Sequence, residues 1–358
     1  MKKRVAVWGT GNVGRPAIRA VIAHRDLELV AVIVSNPDKV GRDAGELAGV
    51  AATGVLATRD WQALLAEGNL DALVYVANAD TRGPEAFMEL IACLEAGVNV
   101  VSTAFYPLLY PDCGLAMAVE PVQAACSKGG SSVFVSGIDP GWAMDILPIL
   151  ASGVASDISQ IRVQEVFNYS LYDQPRIVRE VVGFGQSMEQ LPQMLEDFSL
   201  RMVWEPMVRI IADALEYPLD SVETLVERLP LERTVDVPGM GVFEEGTQGA
   251  FRFEVRGMRN GTARIVLEHI TRIDEDCAPD WPYPPEGQGC HQILIEGSPN
   301  LVLSVHGQDA IEPGPAGGGN GSAANRLVNA IPAVYEASEG ILSPLDLPPI
   351  TGAAQMRS

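Results

Sequence analysis

The chain has 358 residues, and its 46 acidic against 25 basic side chains give a formal charge of −21. Such a field repels nucleic-acid phosphates and anionic membrane surfaces, so neither is an expected partner. With 47% apolar and 20% charged residues the composition is that of a soluble globular protein, expected in the cytoplasm, and the length suits two domains.

Residues Val5 to Trp8 are apolar and β-rich and run into Gly9-Thr10-Gly11-Asn12-Val13-Gly14, after which Pro16 to His24 reads as a helix. Strand, turn and helix in that order are the context that G-x-G-x-x-G needs to bind a dinucleotide. Gly9 lets the chain leave the strand tightly, Gly11 admits a pyrophosphate against the backbone, and Gly14 lets helix and strand pack closely. The phosphates would lie on the free N–H groups at the helix start, within the turn formed by Thr10, Asn12 and Val13. His24, on that helix, is expected at the surface.

Leu27 to Val34 is a continuous β-branched run, the expected second strand. An NAD-specific site places a carboxylate at the tip of this strand, about 20 residues beyond the glycines. Here the tip holds Ser35 and Asn36, with Lys39 and Arg42 in the following loop, a set suited to a 2′-phosphate. NADP is therefore the expected cofactor, with NAD possible.

The pattern then alternates: helix at Arg59 to Leu65, strand at Asp71 to Ala77, helix at Gly83 to Ala96, strand at Asn99 to Thr103, helix at Val119 to Ser127, strand at Ser132 to Ser136. This predicts a doubly wound parallel Rossmann sheet. Ligands of such sheets lie beyond the carboxyl ends of the strands, so Ala77, Asn78 and Thr103 are expected beside the cofactor, the third strand emptying into Asn78-Ala79-Asp80-Thr81-Arg82. Gly137-Ile138-Asp139-Pro140-Gly141-Trp142 is a turn at the same edge, and the first domain is placed at residues 1–145.

From Ile161 the pattern changes to strands without intervening helices, at 161–167, 249–256, 263–271, 292–296 and 301–305. They predict a second α+β domain, residues 146–320, with a mostly antiparallel sheet and a largely helical excursion at 180–229. The stretch 313–321 is glycine-rich and expected to be a flexible linker. Ser322 would cap a helix at 323–335, part of a segment 321–358 that returns to the first domain. Five cysteines, Cys93, Cys113, Cys126, Cys277 and Cys290, form no C-x-x-C pair. They are expected to be reduced thiols, and no metal site is visible.

These residues resemble a known family. The opening V-x-G-T-G-N-V-G, the acid-free second strand and Gly137-Ile138-Asp139-Pro140-Gly141-Trp142-Ala143-Met144-Asp145-Ile146-Leu147-Pro148 are similar to the native amine dehydrogenase and 2,4-diaminopentanoate dehydrogenase family. The first domain is similar to that of dihydrodipicolinate reductase, and Arg326 to Pro332 resembles the family's closing helix. The resemblance covers residues 1–148 and the last forty and is weak between. It implies NAD(P)H-dependent reduction of an imine formed from a small carbonyl compound and ammonia. Two departures stand out. Where the family carries A-E-E-x-x-Y-P this chain has Ala104-Phe105-Tyr106-Pro107-Leu108-Leu109-Tyr110-Pro111, without a glutamate, and it lacks the H-H-x-x-K segment of the lysine-pathway reductases.

Hydride transfer also needs a group that moves a proton. Tyr106 stands near the position of the family's acid, with Phe105 and Tyr110 beside it as pocket walls. Asp139 on its turn and His269 on a strand are the other catalytic candidates. Trp142, Glu165, Asn168, Tyr169 and Tyr172 are expected to line the substrate pocket, which the family builds from these strands. The expected activity is amine dehydrogenase-like reductive amination in a homodimer paired through the second domain's sheet. The alternatives are a carbonyl reductase without amine chemistry and a non-catalytic NADP-binding sensor.

Overall fold

The computed structural model describes residues 1–79, 82–172, 174–312 and 314–356, so the turn of Asp80 and Thr81 and the predicted linker's first residue, Pro313, lie outside the described residues. The chain divides into two compact units, Met1–Ile138 with Asn320–Ser358, and Asp139–Gly319. Strands β1–β15 and helices α1–α8 are numbered along the chain.

The first unit holds β1 (Lys3–Trp8), β2 (Leu27–Ile33), β3 (Ala57–Thr58), β4 (Ala72–Tyr75), β5 (Asn99–Ser102), β6 (Ser132–Val135) and β15 (Gly340–Leu342). They form a seven-stranded sheet in the order β15-β6-β5-β4-β1-β2-β3, and the strand pairs run parallel. β4 and β6 are buried along their whole length, as a sheet covered on both faces requires. Helices α1 (Gly14–Ala23), α2 (Ala44–Ala48), α3 (Trp61–Ala66), α4 (Gly83–Glu95) and α5 (Ala116–Gly129) connect the strands. The strand order reverses between β1 and β4, the place where doubly wound sheets open a crevice for ligands. Ala17, Ile18 and Val21 of α1 share a core with Val5, Val7, Val74 and Val101 of the strands and with Leu327, Val328 and Ile331 of α8 (Gly314–Glu336).

The second unit begins with α6 (Ile146–Ser152), β7 (Ser156–Asn168) and α7 (Asp197–Ala214). There follow β8 (Ser221–Pro230), the small hairpin β9 (Val235–Val237) and β10 (Gly241–Phe243), then β11 (Gln248–Arg259), β12 (Thr262–Arg272), β13 (Gly289–Ser298) and β14 (Leu301–Val305). Six of these make one sheet in the order β14-β13-β7-β12-β11-β8. It is antiparallel except for the parallel pair β7–β12. Helix α6 packs against β7 and β13, and α7 against β8, β11 and β12.

Three expectations need correction. The helical excursion holds α7, but it ends in an edge strand, β8, and runs into a hairpin. Val222, Leu225, Val226 and Leu229 have helical spacing, and pairing with β11 overrides it. The glycine-rich stretch belongs to α8 from Gly314 onward. A Cβ on Gly318 would lie 2.0 Å from the carbonyl oxygen of Gly307, so glycine here serves close backbone approach. His24 is buried, accepting at Nδ1 from the Asp26 N–H at 3.2 Å, and burial lowers its pKa.

Candidate active site

The glycine turn leaves β1 in the conformation its sequence requires. Gly9 has φ +116°, and a Cβ there would lie 2.8 Å from the carbonyl oxygen of Val76. A Cβ on Gly14 would lie 2.2 Å from the carbonyl oxygen of Gly9, whereas one on Gly11 would meet nothing within 4 Å. The turn is thus closed to side chains where α1 packs and open at Gly11. Helix α1 starts at Gly14 without a side-chain cap on Val13 and without an acid in its first turn, so its positive end is not compensated from within the helix. Thr10 and Asn12 are half-buried.

Beyond β2, Ser35, Asn36 and Arg42 are exposed, and Asn36 uses its side-chain oxygen to accept from the Asp38 N–H at 2.9 Å. Lys39 reaches back over the glycine turn, and its Nζ lies 3.0 Å from Thr10 Oγ1 and 3.3 Å from the Thr10 carbonyl. One cation is therefore held between the turn and the tip of β2. Ala77 is half-buried and Asn78 exposed after β4, and Thr103 follows β5. Phe105 adopts a left-handed conformation with φ 67° and packs its ring 5.1 Å from that of Tyr75. Tyr106 opens a short 3-10 turn with Pro107 and Leu108, and Tyr110 is buried beyond it.

In the second unit strand register assembles a polar group inside an apolar core. His269 on β12 pairs with Glu165 on β7, and Glu165 pairs with His291 on β13. Because direct partners point to the same face, imidazole, carboxylate and imidazole form one row. Phe253 on β11 continues the row, its ring stacked on His269 at 4.4 Å. Trp204 of α7 meets His269 edge-on at 4.8 Å. Its indole Nε1 donates to Asp139 Oδ1 at 2.9 Å, which aims Asp139 at the row. The other Asp139 oxygen lies 2.8 Å from His269 Nε2, while His269 Nδ1 is 3.4 Å from Glu165 Oε1. Tyr169 donates its hydroxyl to the same Glu165 oxygen at 3.3 Å, and its ring lies 5.2 Å from that of Tyr172.

Although close, the contacts of His269 Nε2 and Asp139 Oδ2 are poorly aligned as hydrogen bonds, as acid–base pairs often are until substrate tightens them. Asp139 and His269 are nearly sealed from solvent, at 1% and 6% side-chain exposure, so their charges interact with little screening. Burial alone would depress the His269 imidazolium, but the carboxylates of Asp139 and Glu165 outweigh it and raise its pKa to about 10. Burial pushes the Glu165 carboxyl up, and the His269 charge overcomes this and holds it well below the usual range. For Asp139 burial prevails and its pKa rises. Two carboxylates about one imidazolium are thus driven apart, the pattern that separates an acid from a base. Burial and the neighbouring Glu165 charge keep the Tyr169 phenol protonated.

Asp139, Glu165 and His269 also present ligand atoms within 4.8 Å of one another, the one such trio among the described residues. A divalent cation could take this donor set, contrary to the expectation of no visible metal site. His269 already engages one oxygen of each carboxylate through its two ring nitrogens.

Of the expected pocket residues, Glu165, Tyr169 and Tyr172 join Asp139 and His269. Asn168 does not, because its odd offset from Glu165 turns it to the other sheet face, where it caps a turn at Ser170 and reaches Glu275 at 3.4 Å. Trp142 is half-buried, and its carbonyl accepts from the Leu147 N–H at 3.0 Å. The sequence singles out neither His291 nor Trp204 as a site residue. Only register between strands distant in the chain reveals them. The described cysteines are all free thiols.

A parallel sheet in this order with a glycine turn at its switch point defines an oxidoreductase fold of the NAD(P)-binding kind. Residues 142–357 match the model of the 2,4-diaminopentanoate dehydrogenase C-terminal domain, and residues 3–105 that of the dihydrodipicolinate reductase N-terminus. The chain belongs to the 2,4-diaminopentanoate dehydrogenase family and is an enzyme of the oxidoreductase class, so the reading as a non-catalytic sensor falls. It is 48% identical over 344 residues to an amine dehydrogenase of Streptomyces virginiae, covering 96% of this chain and 95% of that one. It is 25% identical to the 2,4-diaminopentanoate dehydrogenase of Acetoanaerobium sticklandii, over 97% and 94% of the two chains. The solved amine dehydrogenase of Mycobacterium smegmatis shares the fold, with TM-score 0.73 and 21% identity over 99% of each chain. The likeness therefore includes the middle of the chain, where motifs alone were weak.

Proposed function

We propose that the protein is an NADPH-preferring amine dehydrogenase that interconverts a small carbonyl compound plus ammonia with the corresponding amine. The observation that carries this reading is the buried group Asp139–His269–Glu165, which offers a proton-exchanging carboxylate to a chain whose family glutamate is replaced by Phe105. The naming of full-length relatives as amine dehydrogenases supports it.

A nicotinamide dinucleotide, when bound, supplies or accepts the hydride. Gly9, Thr10, Gly11, Asn12, Val13 and Gly14 would hold its pyrophosphate, since the turn is open at Gly11 and the start of α1 has no side-chain cap and no acid in its first turn. Ala77, Asn78 and Thr103 would flank its sugars. Lys39, aided by Ser35, Asn36 and Arg42, would take the 2′-phosphate. Asp139 accepts the proton of ammonium, and His269 orients it and shares its charge with Glu165. In the first unit Tyr106, with Phe105 and Tyr110 beside it, would serve as a secondary proton donor; in the second, Trp142, Tyr169 and Tyr172 would be substrate-facing residues, whereas Asn168 is withdrawn because it faces the other side of the sheet.

A dimer through the second sheet has a suitable face. Arg162 binds Glu254 and Glu268 at 2.8 and 2.6 Å, and Arg252 binds Glu227 at 3.0 Å, on the face opposite α7. Alternating charges of this kind can meet their own copies about a two-fold axis. Light scattering of the purified protein should give twice the chain mass of 38.3 kDa.

The decisive assay is NADPH oxidation with a panel of ketones and aldehydes, with and without ammonium. Oxidation that requires ammonium supports the proposal, and equal rates without it favour the carbonyl reductase that the missing glutamate also allows.

A further inference from the structure

We infer that Trp204 is the positioning residue of this site: its indole N–H reserves one oxygen of Asp139 and leaves the other, Oδ2, as the atom that takes the proton of ammonium. The inference rests on the amine dehydrogenase reading. Both residues belong to the second unit. Trp204 Nε1 donates to Asp139 Oδ1 at 2.9 Å. Asp139 Oδ2 is buried, and although His269 Nε2 lies 2.8 Å away the two are not aligned as a hydrogen bond. Among the described residues Oδ2 therefore keeps its lone pairs without a well-aligned donor. The indole itself has no room to change partner. Trp204 is 7% exposed, its ring is tilted against that of Phe253 at 4.7 Å, and it meets the His269 ring edge-on at 4.8 Å. Helix α7 carries it onto β11 and β12, the strands of Phe253 and His269. One side chain thereby touches both Asp139 and His269 and fixes the first against the second.

Packing alone does not call for this pair. A phenylalanine would fill the same slot without a polar atom, and a backbone carbonyl would satisfy an indole N–H, whereas a buried carboxylate is far costlier to place. A carboxylate tied at one oxygen is what proton transfer from ammonium needs. One N–H bond of ammonium breaks as an O–H bond forms at Oδ2, and the ammonia left behind keeps the electron pair that adds to the carbonyl carbon. The proton held at Oδ2 then passes to the hydroxyl of the resulting carbinolamine, whose C–O bond breaks as water leaves. With Oδ1 held, the carboxylate cannot turn about its Cβ–Cγ bond, and Oδ2 stays where both transfers occur. Without the indole N–H the two oxygens become exchangeable and that orientation is lost.

The chain has five tryptophans, so ¹⁵N-tryptophan labelling of the complete protein gives five indole N–H signals. Loss of one of them in Trp204→Phe assigns it. That signal should lie downfield, as for an N–H given to a carboxylate, and should move upfield in Asp139→Asn. In the ammonium-dependent assay Trp204→Phe should lower kcat about 10- to 10²-fold, with KM for NADPH changed less than about twofold. A β-(3-benzothienyl)alanine introduced at position 204 has the shape of the indole with sulfur in place of the N–H. It should reproduce the loss in kcat with the denaturation midpoint unchanged, and it carries the test should Trp204→Phe fold poorly. The inference is overturned if the benzothienyl form keeps the parent kcat, since Trp204 then only packs, or if its loss lies in KM alone. It is equally overturned if the Trp204 signal does not respond to Asp139→Asn. Absence of ammonium-dependent turnover in the parent enzyme sinks the amine dehydrogenase reading itself, while the indole signal still decides whether Trp204 holds Asp139.

Discussion

His269 and Glu165 face each other across the parallel pair β12–β7, with His269 Nδ1 3.4 Å from Glu165 Oε1. Parallel pairing is the exception in a sheet whose other neighbours are antiparallel. It matters because shifting the register by one residue would send either side chain to the opposite face. The far end of the same imidazole meets Asp139 at 2.8 Å, so one ring couples a strand carboxylate to a turn carboxylate.

Removing that ring should be felt in chemistry rather than in cofactor binding. His269→Asn keeps a side chain of similar reach but cannot carry the charge. We expect kcat for reductive amination to fall about 10²- to 10⁴-fold. NADPH affinity, measured by fluorescence titration, should change less than about twofold. An equal loss in both would place His269 in the nucleotide site.

The activity should fall on the acid side with an apparent pKa above 3.8, the ordinary value for an aspartic carboxyl, because burial raises Asp139 and only its ionised form accepts a proton. Asp139→Asn should abolish this limb together with most of the turnover. An unchanged limb in the residual activity would assign it to another group.

Stability should follow His269 with a definite sign. Its folded pKa is raised from 6.5 to about 10, so the stabilisation it gains from Asp139 and Glu165 is complete below 6.5 and fades as pH rises toward 10. The difference in Tm between the parent and His269→Asn should therefore shrink across that window. A gap that widens with pH would reverse the assignment of charge.

Lys39 should decide between the two nucleotides. Lys39→Ala removes the cation held 3.0 Å from Thr10 Oγ1. It should weaken NADPH binding about 10- to 100-fold, the range for a contact to a charged group, and leave NADH nearly unchanged. Ser35→Asp with Arg42→Ala should push preference further toward NADH. Equal losses for both nucleotides would remove the 2′-phosphate assignment.

Gly14 has no room for a methyl group, since a Cβ would lie 2.2 Å from the Gly9 carbonyl oxygen. Gly14→Ala should cost about 1–3 kcal/mol of stability, visible as a lowered denaturation midpoint, and should weaken both nucleotides alike. Gly11→Ala, which meets nothing within 4 Å, should leave the midpoint unchanged and still weaken nucleotide binding.

Much of the first unit was legible from local pattern. The run Val5–Trp8 into Gly9, Gly11 and Gly14 set a strand, a turn and a helix. The alternation of apolar strands and amphipathic helices set a parallel sheet, because side-chain period and burial are properties of neighbouring residues. Asp139, Glu165 and His269 could each be singled out by residue type and position. What sequence could not supply was their company. The row Phe253–His269–Glu165–His291 comes from three strand pairings whose members lie far apart in the chain, and no short-range spacing records it. Likewise Val222, Leu225, Val226 and Leu229 became an edge strand, and the glycines after Gly314 became helix, because contacts with β11 and with Gly307 outweigh local propensity. Local chemistry chose the elements and the residues able to move a proton. Strand register set two imidazoles and Glu165 in one row and the Trp204 hydrogen bond set Asp139 against it, and burial among apolar strands makes the charges of Asp139, Glu165 and His269 act on one another with little screening.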